Sequence, residues 1–360
     1  MDTIKKKKVL FFLQSGVGGA ERMTVAIAKS LDVSKFNVIF YLLERSSGSS
    51  ITDFIPKEYT IKNLPKAFRF KLVKQLEQVL QSEKPDIVFS SIFFINIRLL
   101  TLSVFHRKIK FIIRNDNYLY TLSKFQRLIV YSTYWRADSI IAQTDEMGKE
   151  LYNLPLLNKN RVKVLQNPID VQRIDPLANE ASPYTNIDKV KYVASGRFFP
   201  EKGFDILVKA FSIVISKQPN SELFIVGNTQ GNCANYFQTI LKLIETLGIK
   251  DKVHCVGYQK NPYKYVRNAN CFVLSSRNEG LPNVLIEALY LGTPVAACTC
   301  IPVISRIVAE GKTGFLAESE NVESLAEAML NAAKLGRVQS TYKSAKIEDF
   351  AQLFNDPNID

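Results

Sequence analysis

Short apolar runs with strand character alternate with segments of helical spacing along nearly the whole chain, and this alternation is the strongest constraint on the fold. Strands joined through helices form parallel sheets that helices cover. In the first half we predict strands at residues 8–13, 38–43, 86–90, 109–114, 139–142 and 162–165. In the second half we predict strands at 191–194, 222–226, 253–256, 271–275 and 295–297, with helices at 205–216, 236–247 and 282–291. The sequence therefore predicts an α/β protein with doubly wound sheets.

A section rich in Pro, Asn and Asp separates these two series. Residues 166–189 (QNPIDVQRIDPLANEASPYTNIDK) lack periodicity, which is typical of a linker. At 360 residues the chain also exceeds the size of one ordinary core. We predict domains at 1–168 and 189–341, a linker at 169–188, and a ligand cleft between the carboxyl ends of the two sheets. A helix at 342–360 is expected to pack back on the first domain.

A glycine-rich turn, GVGGAER, follows the first strand run and precedes a helical pattern. A strand, a glycine turn and a helix begin a nucleotide-binding half-domain. The nicotinamide fingerprint G-x-G-x-x-G fits Gly16 and Gly18, but Glu21 occupies the place of its third glycine. A dinucleotide is therefore not the favoured ligand of this turn.

The composition argues against several classes of protein. Apolar residues make up 46% of the chain and low-complexity tracts are lacking, so we expect a globular protein. The five cysteines form no paired framework, and the two histidines stand alone. Disulfide scaffolds, zinc sites and histidine-based nucleophilic catalysis are therefore disfavoured. We expect neither a signal peptide nor a membrane-spanning segment.

Most of the net charge of +13 belongs to the first half of the chain. Residues 1–170 hold 27 Lys and Arg against 15 Asp and Glu, whereas the remainder hold 20 against 19. Such asymmetry indicates a polyanionic partner, and no nucleic-acid-binding motif accompanies it. Residues 66–80 and 118–136 mix cations with large apolar side chains, and we predict that they dock on an anionic membrane. The alternative is two ordinary amphipathic helices that pack on the sheet.

Two glutamates accompany a predicted helix start in the segment SSRNEGLPNVLIEALYLGTPV. Glu279 and Glu287 stand eight residues apart, and Pro282 suits the first turn of the helix between them. Free N–H groups at a helix start bind phosphate or a sugar hydroxyl. Carboxylates accept hydrogen bonds from hydroxyl groups, as a ribose or a hexose supplies. The alternative is a pair of solvated glutamates.

Two cations bracket the loop that follows the first strand of the second half. In ASGRFFPEKGFDILVKAF, Arg197 and Lys202 stand at the expected carboxyl end of that strand. A guanidinium fork and an ammonium point charge suit a diphosphate. Solvated surface cations are the alternative for either residue taken alone.

These stretches together resemble the retaining glycosyltransferases of family 4. The resemblance rests on GRFFPEKG, on Glu279 and Glu287 in the form E-x7-E, on EGKTGFL at 310–316, and on GVGGAER as the first loop. It implies the GT-B architecture, in which two Rossmann-like doubly wound domains face each other across a cleft, the first on the acceptor side and the second binding the nucleotide sugar. It also implies a hexosyltransferase that uses a nucleotide sugar, UDP-linked and of the galactose or N-acetylgalactosamine type. The implied acceptor is a lipid-linked or saccharide molecule of surface polysaccharide or glycan biosynthesis.

The resemblance also implies roles for individual residues. Arg197 and Lys202 hold the departing diphosphate, Glu279 holds the transferred sugar, and Glu287 binds the ribose. Further donor contacts are implied for a set of loop and helix-start residues: Gly16, Gly18, Gly19, Gly280, Leu281 and Asn283. No cofactor or metal is expected, because the sequence lacks a D-x-D carboxylate pair and has cations that can replace the ion.

The chain departs from the family pattern in two places. Many relatives carry a histidine where this chain has FIIRNDNYLY, so Asn115 is the candidate for donor or acceptor contact and Asp116 for orienting the acceptor hydroxyl. CIPVISRIV replaces a usual Pro-Glu pair, as in relatives that use galactose or N-acetylgalactosamine donors.

Two other functions remain open at this point. One is another GT-B enzyme that acts on a sugar nucleotide, such as an epimerase, and the other is a non-enzymatic basic module that binds membrane surfaces. For the transferase we expect a cytoplasmic location at the inner face of the membrane. The sequence predicts no oligomeric state.

Overall fold

The computed structural model describes residues 5–16, 18–44, 51–65, 70–186 and 188–355. The chain divides into two compact units. The first unit comprises Met1–Pro168 and Ser344–Asp360, and the second comprises Ile169–Lys343.

The first unit is built on a parallel sheet. Its described strands are β1 (Lys7–Gln14), β2 (Phe36–Leu43), β3 (Thr60–Leu64), β4 (Ile87–Ser90), β5 (Lys110–Asn115), β6 (Ser139–Ala142) and β7 (Val162–Val164). The strand order is β3-β2-β1-β4-β5-β6-β7. Its first five helices are α1 (Gly19–Lys29), α2 (Phe70–Glu83), α3 (Phe93–Leu102), α4 (Lys124–Thr133) and α5 (Asp145–Tyr152).

The second unit has a parallel sheet of the same kind. Its described strands are β8 (Val190–Ser195), β9 (Ser221–Val226), β10 (Val253–Gly257), β11 (Cys271–Leu274), β12 (Val295–Cys298) and β13 (Gly314–Ala317). The order is β10-β9-β8-β11-β12-β13, so the direction of winding reverses at β8. Its helices are α6 (Val171–Ala178), α7 (Phe204–Lys217), α8 (Ala234–Thr246), α9 (Tyr263–Arg267), α10 (Asn283–Tyr290), α11 (Ile304–Ile307) and α12 (Val322–Ala332).

The central strands are apolar along their length because both faces of each sheet are covered. Residues 9–13 of β1 are completely or almost completely buried, as expected for a central parallel strand. The fold confirms the predicted α/β class with two doubly wound sheets. Strands β3 and β13 were not predicted. Both lie at a sheet edge. Strand β3 is mostly exposed and lacks a continuous apolar run, and β13 has only four residues.

The segment at 169–188 is not irregular throughout, as its sequence suggests, because it contains α6. The side chain of Asp170 caps this helix by accepting a hydrogen bond from the backbone N–H of Arg173 at 3.3 Å. Ile174 and Ala178 are buried, and the carbonyl of Leu177 accepts a hydrogen bond from Asn261 at 2.7 Å. With eight residues and an internal proline, α6 is too short to produce a recognisable helical period.

The chain returns to the first unit with a last described helix, α13 (Ile347–Asn355). Its residues Phe350, Leu353 and Phe354 are buried in the same core as β1. The ring of Phe354 stacks on Phe11, with 5.7 Å between their centroids. The helix expected at 342–360 begins only at Ile347, and its final residues, from 356 onward, lie outside the described residues.

The carboxyl ends of β8 and β9 approach each other closely. Gly196 follows β8 and Gly227 follows β9, and the N–H of Gly196 donates to the carbonyl of Val226 at 2.9 Å. A β-carbon on residue 227 would come well within 3.0 Å of the Gly196 carbonyl oxygen, a distance that real side chains do not reach. The contact therefore requires glycine at position 227.

We expect Gly227→Ala to lower the free energy of unfolding by about 3 kcal/mol or more, because the new methyl group meets rigid backbone. Gly196→Ala is the matched control, because a β-carbon there meets only ordinary contacts, at 3.5 Å and beyond. Urea unfolding of the two variants checks this prediction. Equal losses of stability in both variants would contradict it.

Candidate functional site

The loops that leave β8 and β11 lie side by side in the second unit. These two strands are neighbours, and the winding of the sheet reverses between them. Ligands of open parallel sheets bind outside the carboxyl ends of the strands at such a reversal. The residues predicted from the sequence to bind a diphosphate and a sugar occur in these loops or just after them.

A close backbone contact joins the two loops. Gly203 ends the β8 loop with φ of 62°, and a β-carbon there would lie well within 3.0 Å of the Ser275 carbonyl oxygen. The hydroxyl of Ser275 donates to the carbonyl of Lys202 at 2.8 Å. The backbone N–H of Arg277 donates to the carbonyl of Glu201, also at 2.8 Å. Position 203 therefore favours glycine, because its φ is positive and because a β-carbon would clash with the Ser275 carbonyl oxygen.

A bidentate ion pair reinforces this junction. Arg277 donates to both carboxylate oxygens of Asp205, at 2.8 and 2.7 Å, and the hydroxyl of Tyr236 donates to the same carboxylate at 2.5 Å. Burial by itself would raise the pKa of Asp205, but these hydrogen bonds and the charge of Arg277 bring it down to about 2. Because Asp205 lies in the first turn of α7, the pair ties the β11 loop to the start of that helix.

Lys202 and Glu279, which the sequence places 77 residues apart, meet at this junction. The ammonium group of Lys202 donates to Glu279 Oε1 at 2.6 Å, and the hydroxyl of Ser276 donates to the same oxygen at 2.7 Å. Both charged side chains are largely buried. The cation predicted for the diphosphate and the carboxylate predicted for the sugar therefore form one pair.

A cysteine lies close to this pair. Burial, with a smaller effect from the nearby Glu279 carboxylate, raises the pKa of the Cys300 thiol to about 12. At neutral pH this thiol is protonated, and a protonated thiol is a poor nucleophile.

Arg197 differs from Lys202 in being exposed. Its guanidinium lies over the ring of Phe199, 5.3 Å from the centroid. Within the described parts of the chain, no carboxylate lies at ion-pair distance from it. Arg197 therefore presents an uncompensated positive charge at the carboxyl end of β8.

The segment after Glu279 leads into α10, which begins at Asn283. Leu281 is buried, whereas Gly280 is partly exposed. Glu287 is also partly exposed, and the hydroxyl of the buried Tyr263 donates to its Oε1 at 3.5 Å. Glu287 thus sits at the edge of a largely buried helix.

The remaining predicted site residues belong to the first unit. Gly16 follows β1, Gly18 precedes α1 in an extended conformation, and Gly19 is the first residue of that helix. Residue 17 lies outside the described residues. Asn115 ends β5 and is buried, and Asp116 follows it, partly exposed, accepting a hydrogen bond from Asn117 at 2.8 Å.

Several polar residues at these two places were not predicted from the sequence. In the second unit they are Asp205, Ser276 and Arg277, and in the first they are Glu21 and Arg114. Arg277 lies inside the segment SSRNEGLP that drew attention to Glu279, but only the fold reveals its partner. Among the described residues, no three His, Cys, Asp or Glu side chains group as metal ligands.

The two predicted docking segments differ in the structure. In α2 the apolar stripe of Leu72, Leu76 and Val79 is buried, so this helix packs on the unit as the alternative predicts. Residues 66–69 of that segment, Phe68 among them, lie outside the described residues. On α4, in contrast, Phe125 and Leu128 are 71% and 63% exposed. No helix in the described ranges combines the length and the apolar character needed to span a bilayer.

Comparisons with known proteins match nearly the whole chain. The family described as Glycosyltransferase Family 4 matches residues 17–173, and the family described as Glycosyl transferases group 1 matches residues 179–348. An uncharacterised glycosyltransferase of Methanocaldococcus jannaschii is 32% identical over 255 residues, 66% of this chain and 62% of that protein. The chain thus spans less than two thirds of that relative's length.

Another relative and a solved structure match this chain over nearly the whole length of both proteins. The N-acetylgalactosamine-N,N'-diacetylbacillosaminyl-diphospho-undecaprenol 4-alpha-N-acetylgalactosaminyltransferase of Campylobacter jejuni is 25% identical, covering 98% of this chain and 97% of that protein. The crystal structure of Anabaena HepE in complex with UDP and glucose has a TM-score of 0.75 at 18% identity, covering 97% of this chain and 98% of that chain. This likeness shows the GT-B fold.

The ion pair of Asp205 gives a prediction with a defined pH window. The pKa of this carboxyl is about 2 in the fold and about 3.9 in an unfolded chain, so its contribution to stability is complete above pH 4 and is lost as the pH falls toward 2. We expect Asp205→Asn to cost about 2 kcal/mol at pH 7 and progressively less below pH 4. Urea unfolding at several pH values checks this. A cost that stays constant down to pH 2.5 would refute the role of the ion pair.

Proposed function

The chain belongs to glycosyltransferase family 4, and we propose that it transfers a hexose or an N-acetylhexosamine from a UDP-sugar to a lipid-linked or saccharide acceptor. The observation that carries this proposal is the grouping of Arg197, Lys202 and Glu279 at the reversal point of the second sheet. The complex of Anabaena HepE with UDP and glucose supports a sugar nucleotide as donor. The name of the Campylobacter relative, whose acceptor is a diphospho-undecaprenol, supports a lipid-linked acceptor.

The donor diphosphate is assigned to Arg197 and Lys202. Arg197 is exposed and has no carboxylate partner among the described residues, so its charge is available to a phosphate. An ammonium group has three protons, so Lys202 can keep its bond to Glu279 and still donate to a phosphate oxygen. Both cations stabilise the negative charge that develops as the sugar–phosphate bond breaks. We propose that this replaces a metal ion and that no cofactor takes part.

The sugar and the ribose are assigned to the two glutamates. Glu279 is held by Lys202 and Ser276 through one oxygen, Oε1, which leaves Oε2 for a sugar hydroxyl. Glu287 is assigned to the ribose hydroxyls. The backbone at Gly280, Leu281 and Asn283 precedes or begins α10, where the positive end of the helix dipole suits a phosphate or sugar oxygen. That Gly16, Gly18 and Gly19 also contact the donor stays a prediction.

The donor sugar is proposed to be galactose or N-acetylgalactosamine. The segment CIPV at 300–303 replaces the Pro-Glu pair of other relatives, and its Cys300 lies near Glu279, the residue assigned to the sugar. The name of the Campylobacter relative, an N-acetylgalactosaminyltransferase, supports the same choice.

We further propose that the first unit docks on an anionic membrane surface, which places the enzyme in the cytoplasm at the inner face of the membrane. On α4 and the turn after it, Phe125, Leu128, Tyr131 and Trp135 recur at helical spacing and are all exposed. Residues 87–137 contain eight Lys and Arg and a single acid, Asp116. Aromatic side chains favour the lipid–water boundary, and each nearby cation adds about 1 kcal/mol on an anionic surface.

The donor assignment is tested by kinetics with UDP-galactose and UDP-N-acetylgalactosamine. Glu287→Ala is expected to weaken donor binding about tenfold to 150-fold, because this is the change in affinity that corresponds to the loss of one hydrogen bond to a charged group. Arg197→Ala is expected to lower kcat more than it raises the donor KM, because the charge it stabilises is largest in the transition state. Activity is expected to survive a chelator.

Arg306→Ala is the control for Arg197→Ala, since Arg306 is an exposed arginine in α11 of the same unit. Formation of a glycoside product with release of UDP supports the transferase. Recovery of an epimerised sugar nucleotide, or a strict requirement for added metal, would overturn the proposal.

The docking surface is tested by sedimentation with vesicles that contain phosphatidylglycerol. The wild type is expected to bind them, and to bind less as salt screens the charges. Phe125→Ser combined with Leu128→Ser is expected to weaken binding at least about tenfold, because two large apolar side chains no longer enter the interface. Leu241→Ser, at an exposed position of α8 in the second unit, is the control. A wild type that stays in the supernatant at low salt would rule out docking.

A further inference from the structure

A buried arginine stands at the carboxyl end of β5 in the first unit. Arg114 is only 1% exposed, and its guanidinium donates from Nη2 to Asn167 Oδ1 at 2.6 Å. Its Nε and Nη1 are also buried and have no hydrogen-bond partner in the described structure. A buried cation with unused donors is costly, so a fold keeps one only where other interactions compensate.

Hydrogen bonds hold this arginine in place. Asn167 donates to Gln143 Oε1 at 3.3 Å, and Gln143 donates to the carbonyl of Asn115 at 3.2 Å. Asn96, on α3, donates to the carbonyl of Arg114 at 3.1 Å. The chain of contacts links the carboxyl ends of β5 and β6 with the residues that follow β7. The guanidinium is therefore fixed at the edge of the sheet where ligands bind.

The charges of two carboxylates act on the arginine. Burial lowers the pKa of Arg114 to about 10, whereas the charges of Asp116 and, to a smaller extent, Glu21 favour its protonated form. Glu21 comes from the first turn of α1, and its carboxylate lies where a β-carbon on residue 18 would be. Gly18 thus gives Glu21 the room to fold back over the helix start. Asp116 is the partly exposed member of the three.

We propose that Asp116 accepts a hydrogen bond from a hydroxyl group of the acceptor sugar, with the buried Arg114, two residues before it, as the positioning residue. The inference rests on the proposed function, since it names the residues of the first unit that meet the acceptor of that reaction. Glu21 supplies the second carboxylate whose charge acts on the guanidinium. The sequence predicted only Asp116 as the residue that orients the acceptor hydroxyl. The structure adds Arg114 and Glu21.

The charges of the three residues select a hydroxyl group over a phosphate. The charges of two carboxylates act on one guanidinium, so the cluster has no excess of positive charge to attract an anion. A sugar hydroxyl is neutral and can donate to a carboxylate while it accepts from another donor. A saccharide end of the acceptor therefore fits this place better than its phosphate groups.

The cluster implies a defined dependence on pH. Burial and, to a smaller extent, the charge of Glu21 raise the pKa of Asp116 to about 6, against the opposing charge of Arg114. Tyr134, the other titratable group that faces Asp116, has a pKa raised mainly by its own burial and is neutral at physiological pH. Use of the acceptor is therefore expected to fall as the pH drops below about 6 and Asp116 gains a proton.

The test uses octyl glycosides of galactose, glucose and their N-acetylamino forms as acceptors. Asp116→Asn is expected to raise the acceptor KM about tenfold, to leave the donor KM unchanged, and to remove the inflection near pH 6. Arg114→Gln keeps a donor for Asn167 but loses the charge, so the inflection is expected to move to higher pH. Arg114→Lys restores the charge and is expected to bring it back.

Asp138→Asn is the matched control, because Asp138 is a partly buried acid that accepts a hydrogen bond from the Phe111 N–H at 2.7 Å, at the opposite end of the sheet. An unchanged acceptor KM and pH profile in Asp116→Asn would overturn the inference. So would a loss of stability in Arg114→Gln without a shift of the inflection.

A failure of the proposed function can be distinguished from a failure of this inference. If the wild type transfers no sugar from any UDP-sugar, the transferase proposal fails, and saturation-transfer NMR still measures binding of the octyl glycosides to the wild type and to Asp116→Asn. Binding that Asp116→Asn abolishes supports the inference. Absence of binding to the wild type overturns it.

Discussion

The carbonyl oxygen of Ser275 lies so close to the backbone of residue 203 that no β-carbon fits between them, and the candidate site depends on this contact. Because Gly203 allows it, two hydrogen bonds join the loops after β8 and β11, one from the Arg277 N–H to the Glu201 carbonyl and one from the Ser275 hydroxyl to the Lys202 carbonyl. The same approach brings Lys202 within 2.6 Å of Glu279. A cation suited to phosphate and a carboxylate suited to a sugar hydroxyl are therefore held together by the main chain.

Each charge in this region has a separate means of stabilisation. Asp205 and Arg277 neutralise each other in a bidentate pair that fixes the loops, and Lys202 with Glu279 forms a second pair nearer the proposed substrate. Arg197 stays exposed, its guanidinium over an aromatic ring. A site organised in this way keeps one cation uncompensated while the others are held rigid. Such preorganisation is what stabilises a charge that appears only during bond breaking.

The sequence predicted the architecture well because the central strands are buried on both faces and have continuous apolar runs. It failed where local pattern carries little information, at the edge strands β3 and β13 and at the short helix α6. It offered membrane docking for both α2 and α4, since both mix cations with apolar residues. Only tertiary packing decides that Leu72 is buried and Phe125 exposed.

For the site, residue types and loop positions were accessible from the sequence, but partners were not. Lys202 and Glu279 are 77 residues apart, and neither segment contains a pattern that predicts their ion pair. Arg114 was passed over because burial of a charged side chain has no signature in the sequence. In the sequence, Glu21 stood out only because it occupies the place of the third fingerprint glycine, although its charge acts on Arg114.

The measurement that tests the central claim most directly is thermal unfolding in the presence of UDP, GDP and ADP sugars. A donor present at about 100 times its dissociation constant stabilises the fold by about 2.7 kcal/mol, or about 5 °C or more in midpoint for a unit of this size. The account predicts that a UDP-sugar raises the midpoint to this degree without added metal. A midpoint that no sugar nucleotide changes would contradict it.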